Sequence, residues 1–231
     1  MDTGFTNSLV EDLKLTALLR QLHERSASQE GAISAYLAGP GARSTVGAPE
    51  EVAAGRTFWR DKLVALEPDK ARFCYLLCRA LSASRIVEAG TSFGVSTLYL
   101  AAAVRDNGGG TVIATEWERE KTQVARAHFE KAGLARYVDL REGDVRETLR
   151  SVEAPVDFLL LDIWTPVARA TMELVAPRMR PGAVAIVDNT HRRRAEYSDY
   201  FAYVNDPTNG FATVTLPFEG GLEMSTKLRH G

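Results

Sequence analysis

The chain has 231 residues and is short of the residue types that staple or anchor a protein. Its only cysteines, Cys74 and Cys78, lie a helical turn apart and read as reduced core thiols. Adding just four histidines leaves too few ligands for a structural zinc site. A basic excess is also missing: 28 Lys and Arg face 30 Asp and Glu, a formal charge of −2. A non-specific nucleic-acid binder would carry a basic stripe, so nucleic acid is not an expected partner. No apolar run approaches the ~18–20 residues that cross a bilayer, which removes a membrane-spanning role. The first residues, Met1-Asp2-Thr3-Gly4, lack the basic and apolar regions of a secretory signal, so a cytoplasmic location is expected.

What is present fits one soluble domain. Hydrophobic residues make up 45% and charged residues 25%, the proportions of an ordinary globular chain. At this length folding buries roughly 70% of the unfolded surface, enough for a core without staples. Leu9, Leu13, Leu15, Leu18, Leu19 and Leu22 recur at helical spacing and predict an amphipathic helix over about 8–25. A loop is expected at 39–44, then helices near 50–66 and 69–82, with Pro68 suited to the first turn of the latter. From Arg85 onward short apolar runs alternate with helices. Five strands are expected near 86–87, 111–114, 137–140, 156–161 and 183–187, with helices near 95–105, 118–132, 145–151, 166–179 and 195–204. Strand–helix alternation implies right-handed crossovers and a parallel sheet covered on both faces. Two last strands, 211–216 and 223–228, are joined by a short Gly-Gly link and should pair antiparallel.

In such sheets ligands bind beyond the carboxyl ends of the strands. After the first strand comes Glu88-Ala89-Gly90-Thr91-Ser92-Phe93-Gly94-Val95-Ser96, opening a helix. Gly90 and Gly94 let backbone approach a ligand, and the helix start offers free N–H donors. A dinucleotide fingerprint wants glycine at 90, 92 and 95, where this chain has Gly, Ser and Val, so a nicotinamide oxidoreductase is disfavoured. Glu116 ends the second strand and can accept from ribose hydroxyls, while Trp117 offers a face to a purine. Gly143-Asp144 after the third strand supplies a turn and an acceptor for an exocyclic amine, or else a helix N-cap. A nucleoside site without a phosphate clamp points to S-adenosylmethionine. Asp162, after the fourth strand, and Asp188-Asn189, after the fifth, reach one sheet edge. Their hard oxygens suit Mg²⁺ or another divalent cation. Thr165-Pro166 reads as the cap and first turn of the next helix, which leaves Asp162 without a structural task.

Taken as a set, Glu88-Ala89-Gly90-Thr91-Ser92-Phe93-Gly94, Glu116, Gly143-Asp144, Leu161-Asp162-Ile163-Trp164, Asp188-Asn189 and Gly221-Leu222-Glu223 resemble the small class I S-adenosylmethionine-dependent O-methyltransferases. The catechol and caffeoyl-CoA types are the nearest. The resemblance spans about residues 65–231 and implies a Rossmann-like α/β fold. That fold has a seven-stranded, mostly parallel sheet with an antiparallel last strand, helices on both faces and extra N-terminal helices. Residues 67–231 would form the methyltransferase core, and 1–66 a helical cap within the same domain.

The resemblance also distributes roles. Glu88, Gly90 and Ser96, with Thr91 and Ser92 of the same loop, would border the methionine part of the cofactor. Glu116 would bind the ribose, and Trp117, Gly143-Asp144 and Trp164 would flank the adenine. Asp162, Asp188 and Asn189 would hold the metal, and Glu223 would lie near the acceptor hydroxyl. These enzymes carry a lysine as general base three residues after the first metal Asp, where this chain has Thr165. Three alternatives follow: His191 is the base, the metal acidifies the acceptor, or the acceptor is a carboxylate that needs no base. The run His191-Arg192-Arg193-Arg194 is a solvated loop face or an attractor of anionic acceptors. Tyr36, Phe58, Trp59, Tyr197 and Phe201 are aromatic-pocket candidates. The expected activity is methyl transfer to a hydroxyl or carboxylate oxygen of a small aromatic or acidic molecule. A metal-independent methyltransferase on a carboxylate, nitrogen or carbon acceptor is the alternative, and a non-catalytic cofactor binder a further one. A homodimer is expected from family habit, and the N-terminal helices either cover the site or form that interface.

Overall fold

The computed structural model describes residues 12–39 and 57–229. The start of the expected first helix, most of the 39–44 loop and residues 50–56 lie outside them. Seven strands form one sheet: β1 (Arg85–Ala89), β2 (Thr111–Glu116), β3 (Val138–Glu142), β4 (Val156–Leu161), β5 (Met179–Asp188), β6 (Phe211–Leu216) and β7 (Leu222–Lys227). Their order is β3-β2-β1-β4-β5-β7-β6. β1 to β5 pair in parallel, and β7 runs antiparallel between β5 and β6. The chain therefore leaves β1 in one direction through β2 and β3, then returns to β4 on the other side. That reversal places a crevice at the carboxyl ends of β1 and β4.

The two faces follow from the two-residue period of the strands. Ile86, Val112, Ala114, Phe158, Leu160 and Ile186 point to one cluster, whereas Val87, Ile113, Leu159, Leu161, Ala185 and Val187 point to the other. The first face is covered by α1 (Leu13–Ala27), α3 (Pro68–Ala80), α4 (Val95–Asp106) and α5 (Arg119–Lys131). Opposite lie α7 (Thr165–Val175) and α8 (Ser198–Asn205), with the four-residue α6 (Val145–Thr148) at the edge. α1 buries Leu15, Leu18, Leu19 and Leu22 in the same cluster as Cys74 and Tyr99. Each leucine contributes about 1.5–3 kcal/mol. Cys74 and Cys78 are free and buried. Among the described residues, no helix is long and apolar enough to cross a membrane.

Two departures from the sequence reading concern the segment ahead of α3. A second N-terminal helix, α2 (Glu30–Ala38), follows α1 directly. The expected 50–66 helix is, in its described part, one helical turn at 57–59 followed by irregular chain from 62. Side chains from the α1–α2 corner claim that backbone. Gln29 Nε2 donates to the Leu63 carbonyl while the Leu63 N–H donates to Gln29 Oε1, both at 3.2 Å. The Ala65 N–H donates to Ser26 Oγ at 3.1 Å. Glu67 ahead of Pro68 is extended, as a residue before proline prefers. The result is a strap, residues 62–67, lying across the carboxyl edge of the sheet.

Candidate active site

The loop after β1 is pressed against the end of β4. Gly90 has φ +98°, and a Cβ there would stand 2.0 Å from the Asp162 carbonyl oxygen, so only glycine permits the contact. The Asp162 N–H donates to the Ala89 carbonyl, and the Gly90 and Thr91 N–H groups both donate to Thr115. These bonds bring three strand ends together. Between loop and strap lies a narrow cleft lined by Leu63–Leu66, Gly90–Phe93, Val95, Ser96 and Asp162.

Glu88 lies at the floor and is fully buried. Its Oε2 accepts from Thr91 Oγ1 at 3.0 Å and from Thr97 Oγ1, whereas its buried Oε1 has no hydrogen-bond partner. Burial raises its pKa against the hydroxyls that favour the ionised form. An unpartnered buried carboxylate oxygen is costly, and it marks a place for a cationic ligand group. Glu116 uses Oε2 to accept from the Ser92 N–H at 2.7 Å and Oε1 to accept from the Glu118 N–H at 2.8 Å. It thereby ties the first loop to the turn after β2. Ser92 adopts φ +49° there.

Asp188 lies on the face covered by α3, where a lysine joins it to Glu67. Lys70 of α3, 1% exposed, places Nζ 2.5 Å from Asp188 Oδ1 and 2.9 Å from Glu67 Oε2. Asp188 Oδ2 accepts from Asn189 Nδ2 at 2.7 Å. Burial raises the Asp188 pKa, and Lys70 opposes the rise. Burial lifts Asp162 well above the usual carboxylate range, with further contributions from the negative charges of Asp188, Glu67 and Glu88. Asp188 and Glu67 thus share one ammonium while Asp162 feels their negative charge, an arrangement that favours further positive charge.

The residues present fit a divalent cation. Asp188 Oδ2 and the Asn189 side-chain amide lie side by side, Asp162 supplies a third hard oxygen, and Lys70 engages only Oδ1 of Asp188. Asn189 sits in the left-handed region at φ +58°, and Gly220 leaves its head room, since a Cβ there would fall 2.9 Å from Asn189 Oδ1. Among the described residues no three His, Cys, Asp or Glu side chains already surround a common point, so the set depends on the amide.

Other expected residues fall elsewhere. Glu223 pairs with Val187 while Leu222 pairs with Asp188, so Glu223 points to the sheet face opposite Asp188. It is buried, accepts from Thr213 Oγ1 and Thr215 Oγ1, and belongs to the β6–β7 pairing rather than to the acceptor site. Asp144 caps α6, accepting from the Arg146 N–H at 2.8 Å and pairing with the Arg146 guanidinium. Gly143 precedes it at φ +133°. The cap of α7 is Trp164, not Thr165. Thr165 is the first helical residue, and its hydroxyl donates to Glu196 Oε2 at 3.3 Å. His191 is exposed, its N–H donating to the Gly220 carbonyl at 2.9 Å. Arg192 and Arg193 pair with Glu219 and Glu196. Tyr197 is buried in the α7–α8 cluster with Phe201 packed beside it, so these two build core. Tyr36, Phe58 and Trp59 instead form an aromatic group. Tyr36 stacks on Phe58 at 3.8 Å, and Trp59 meets the half-exposed Trp164 edge-on at 6.3 Å. Trp117 is also half-exposed.

The sequence reading missed Lys70 and Glu67. Lys70 stands on the buried stripe of α3 with Ala71, Cys74 and Cys78, and a charge on that stripe was the available signal.

Strand order, the reversed β7 and a carboxylate-rich crevice at the switch point define a class I methyltransferase fold. Residues 87–190 match the family model of a methyltransferase domain. The chain is 28% identical over 133 residues to the catechol O-methyltransferase of Niastella koreensis, covering 56% of this chain and 59% of that protein. It is 31% identical over 130 residues to the catechol O-methyltransferase of Mycobacterium tuberculosis, covering 56% and 58%. Just under three fifths of the length of these curated relatives is therefore spanned. An O-methyltransferase structure from Bacillus cereus, in complex with SAH, superposes with a TM-score of 0.65 over 85% of this chain and 97% of that one, at 24% identity. The chain is thus similar in sequence to catechol O-methyltransferases and shares the fold of class I O-methyltransferases.

Proposed function

We propose that the protein transfers a methyl group from S-adenosylmethionine to an oxygen of a small molecule with adjacent oxygen groups, a divalent cation assisting. The observation that carries this reading is the convergence of Glu88, Asp162, Asp188 and Asn189 on one sheet face beside the Gly90 loop. When bound, S-adenosylmethionine supplies a sulfonium methyl already activated by its leaving group. Glu88 Oε1 takes the cofactor's amino group, which satisfies the one unpartnered oxygen of that carboxylate. Glu116 receives the ribose, and Trp164 with Trp117 flanks the adenine. Asp162, Asp188 and Asn189 would hold Mg²⁺ or a similar ion, whose charge would favour the anionic form of an acceptor hydroxyl. The strap at 62–67 closes the cleft and excludes water, and the residues together hold the acceptor oxygen about 3 Å from the methyl carbon.

A second reading rests on Lys70. Its ammonium already gives Asp188 a cation, so transfer without a metal, to a carboxylate, nitrogen or carbon acceptor, is the alternative. Methyl transfer from S-adenosylmethionine to catechol, measured with Mg²⁺ and then with a chelator, separates the two. Loss on chelation that Mg²⁺ restores supports the first reading, undiminished transfer removes the metal from it, and metal-free transfer to a carboxylic acid or amine in place of catechol supports the second. A homodimer remains part of the proposal, tested by light scattering.

A further inference from the structure

We propose that Glu67 is the base that receives the acceptor's proton. The inference rests on the methyltransferase reading and adds to it a residue outside the expected set. A neutral hydroxyl must lose its proton as it takes the methyl group, and a group within reach has to accept it. The position that begins α7 offers only Thr165, an alcohol whose hydroxyl already donates to Glu196. His191 lies exposed at the turn beside Gly220.

Glu67 is placed differently. It is the last residue of the strap and directly follows Leu63–Leu66, which line the cleft with Asp162. Its Oε2 is buried 2.9 Å from Lys70 Nζ, an ion pair that orients the carboxylate without the alignment of a hydrogen bond. The same ammonium holds Asp188 Oδ1 at 2.5 Å, so Glu67 and Asp188 are bracketed by one cation. Through Lys70, the Glu67 carboxylate stands beside Asp188 at the end of the strap that lines the cleft. The side chain is nonetheless 45% exposed, and among the described residues Oε1 makes no hydrogen bond. One oxygen is anchored and the other is available to a ligand.

In the step itself the acceptor oxygen attacks the methyl carbon, the new C–O bond forms and the C–S bond breaks. Sulfur keeps the bonding pair as S-adenosylhomocysteine, and the acceptor's proton passes to Glu67 Oε1. Solvent at the exposed side removes that proton before the next turnover. Lys70, fully buried, holds Oε2 and does not touch the acceptor.

The test compares the parent with Glu67→Gln and Glu67→Asp on two diols, with Mg²⁺ present. Catechol is neutral at mildly alkaline pH. 4-Nitrocatechol is already ionised there and needs no base. Glu67→Gln should lower turnover of catechol by about 100-fold or more, the usual contribution of a positioned base. Its turnover of 4-nitrocatechol should stay within about threefold, and Glu67→Asp should recover part of the catechol rate. Calorimetric affinities for S-adenosylhomocysteine, and for catechol added to that complex, should be unchanged, which separates loss of a base from loss of the site. An equal loss on both diols, or no loss on catechol, overturns the proposal. A parent that binds S-adenosylhomocysteine but methylates neither diol also overturns it, leaving the cofactor site standing. Absence of S-adenosylhomocysteine binding instead removes the methyltransferase reading itself.

Discussion

Replacing Lys70 with methionine is the sharpest perturbation of the buried charge cluster. Methionine matches the length and apolar stem of lysine, so packing on α3 is largely kept while the ammonium is removed. Asp188, 4% exposed, then loses its partner at 2.5 Å and keeps only the Asn189 amide at 2.7 Å. Breaking a buried pair by removing one partner costs about 3–5 kcal/mol, because the remaining charge is uncompensated. Asp188 can escape part of that cost by taking up a proton, a change its raised pKa already favours. The lower end, about 3 kcal/mol at neutral pH, is therefore expected. For a chain of this length, 1 kcal/mol moves the melting temperature by roughly 2–4 °C, giving a fall of roughly 6–12 °C. The assay is urea unfolding together with a thermal melt of Lys70→Met, Asp188→Asn and the double variant. Asn at 188 carries no charge to strand, so the double variant should recover about 1–3 kcal/mol relative to additivity. A Lys70→Met protein within about 1 kcal/mol of the parent, or strictly additive losses, would refute the reasoning.

Two other outcomes follow from single residues. His23 is buried against the Tyr99 hydroxyl, and burial together with the charge of Arg72 lowers its pKa to about 4. The native state therefore binds fewer protons than the unfolded chain between that value and 6.5. Stability should fall as pH drops through that window, by about 3 kcal/mol in all. Subtracting the pH profile of His23→Gln from that of the parent should isolate this slope, and parallel profiles would contradict the assignment. Gly90→Ala forces a Cβ to 2.0 Å from the Asp162 carbonyl oxygen at φ +98°. It should cost more than about 2 kcal/mol in urea unfolding and abolish binding of S-adenosylhomocysteine, whereas full affinity would mean the loop tolerates displacement.

How much of this is legible in the sequence depends on the range of the interaction. The strands are readable because their apolar runs are buried on both faces, and the position of Asp162 and Asp188-Asn189 at one sheet edge because they stand at the ends of such runs. Glu88 near the end of β1 and Gly90 just after it are two residues apart, so their spacing alone associates them. Lys70 reaches Asp188 across 118 positions, a contact that no local pattern encodes. Glu223 fails for a subtler reason. It follows the paired turn by one residue too many, and the two-residue period of β7 turns it away from Asp188. Residues 62–66 fall within the helix expected at 50–66, yet Gln29 and Ser26 hold their backbone in an irregular path. Asp144 has the residue type of an adenine acceptor, but the adjacent Arg146 and the α6 amide occupy its oxygens.

The central claim is that Glu88 and the Gly90 loop form the floor of an S-adenosylmethionine site. Calorimetric titration of S-adenosylhomocysteine into the parent and into Glu88→Gln tests it most directly. The account predicts saturable one-to-one binding to the parent. Glu88→Gln should bind about 10- to 150-fold more weakly, the loss of a charge-assisted hydrogen bond worth about 1.5–3 kcal/mol. No binding by the folded parent, or equal affinity in the variant, would contradict it.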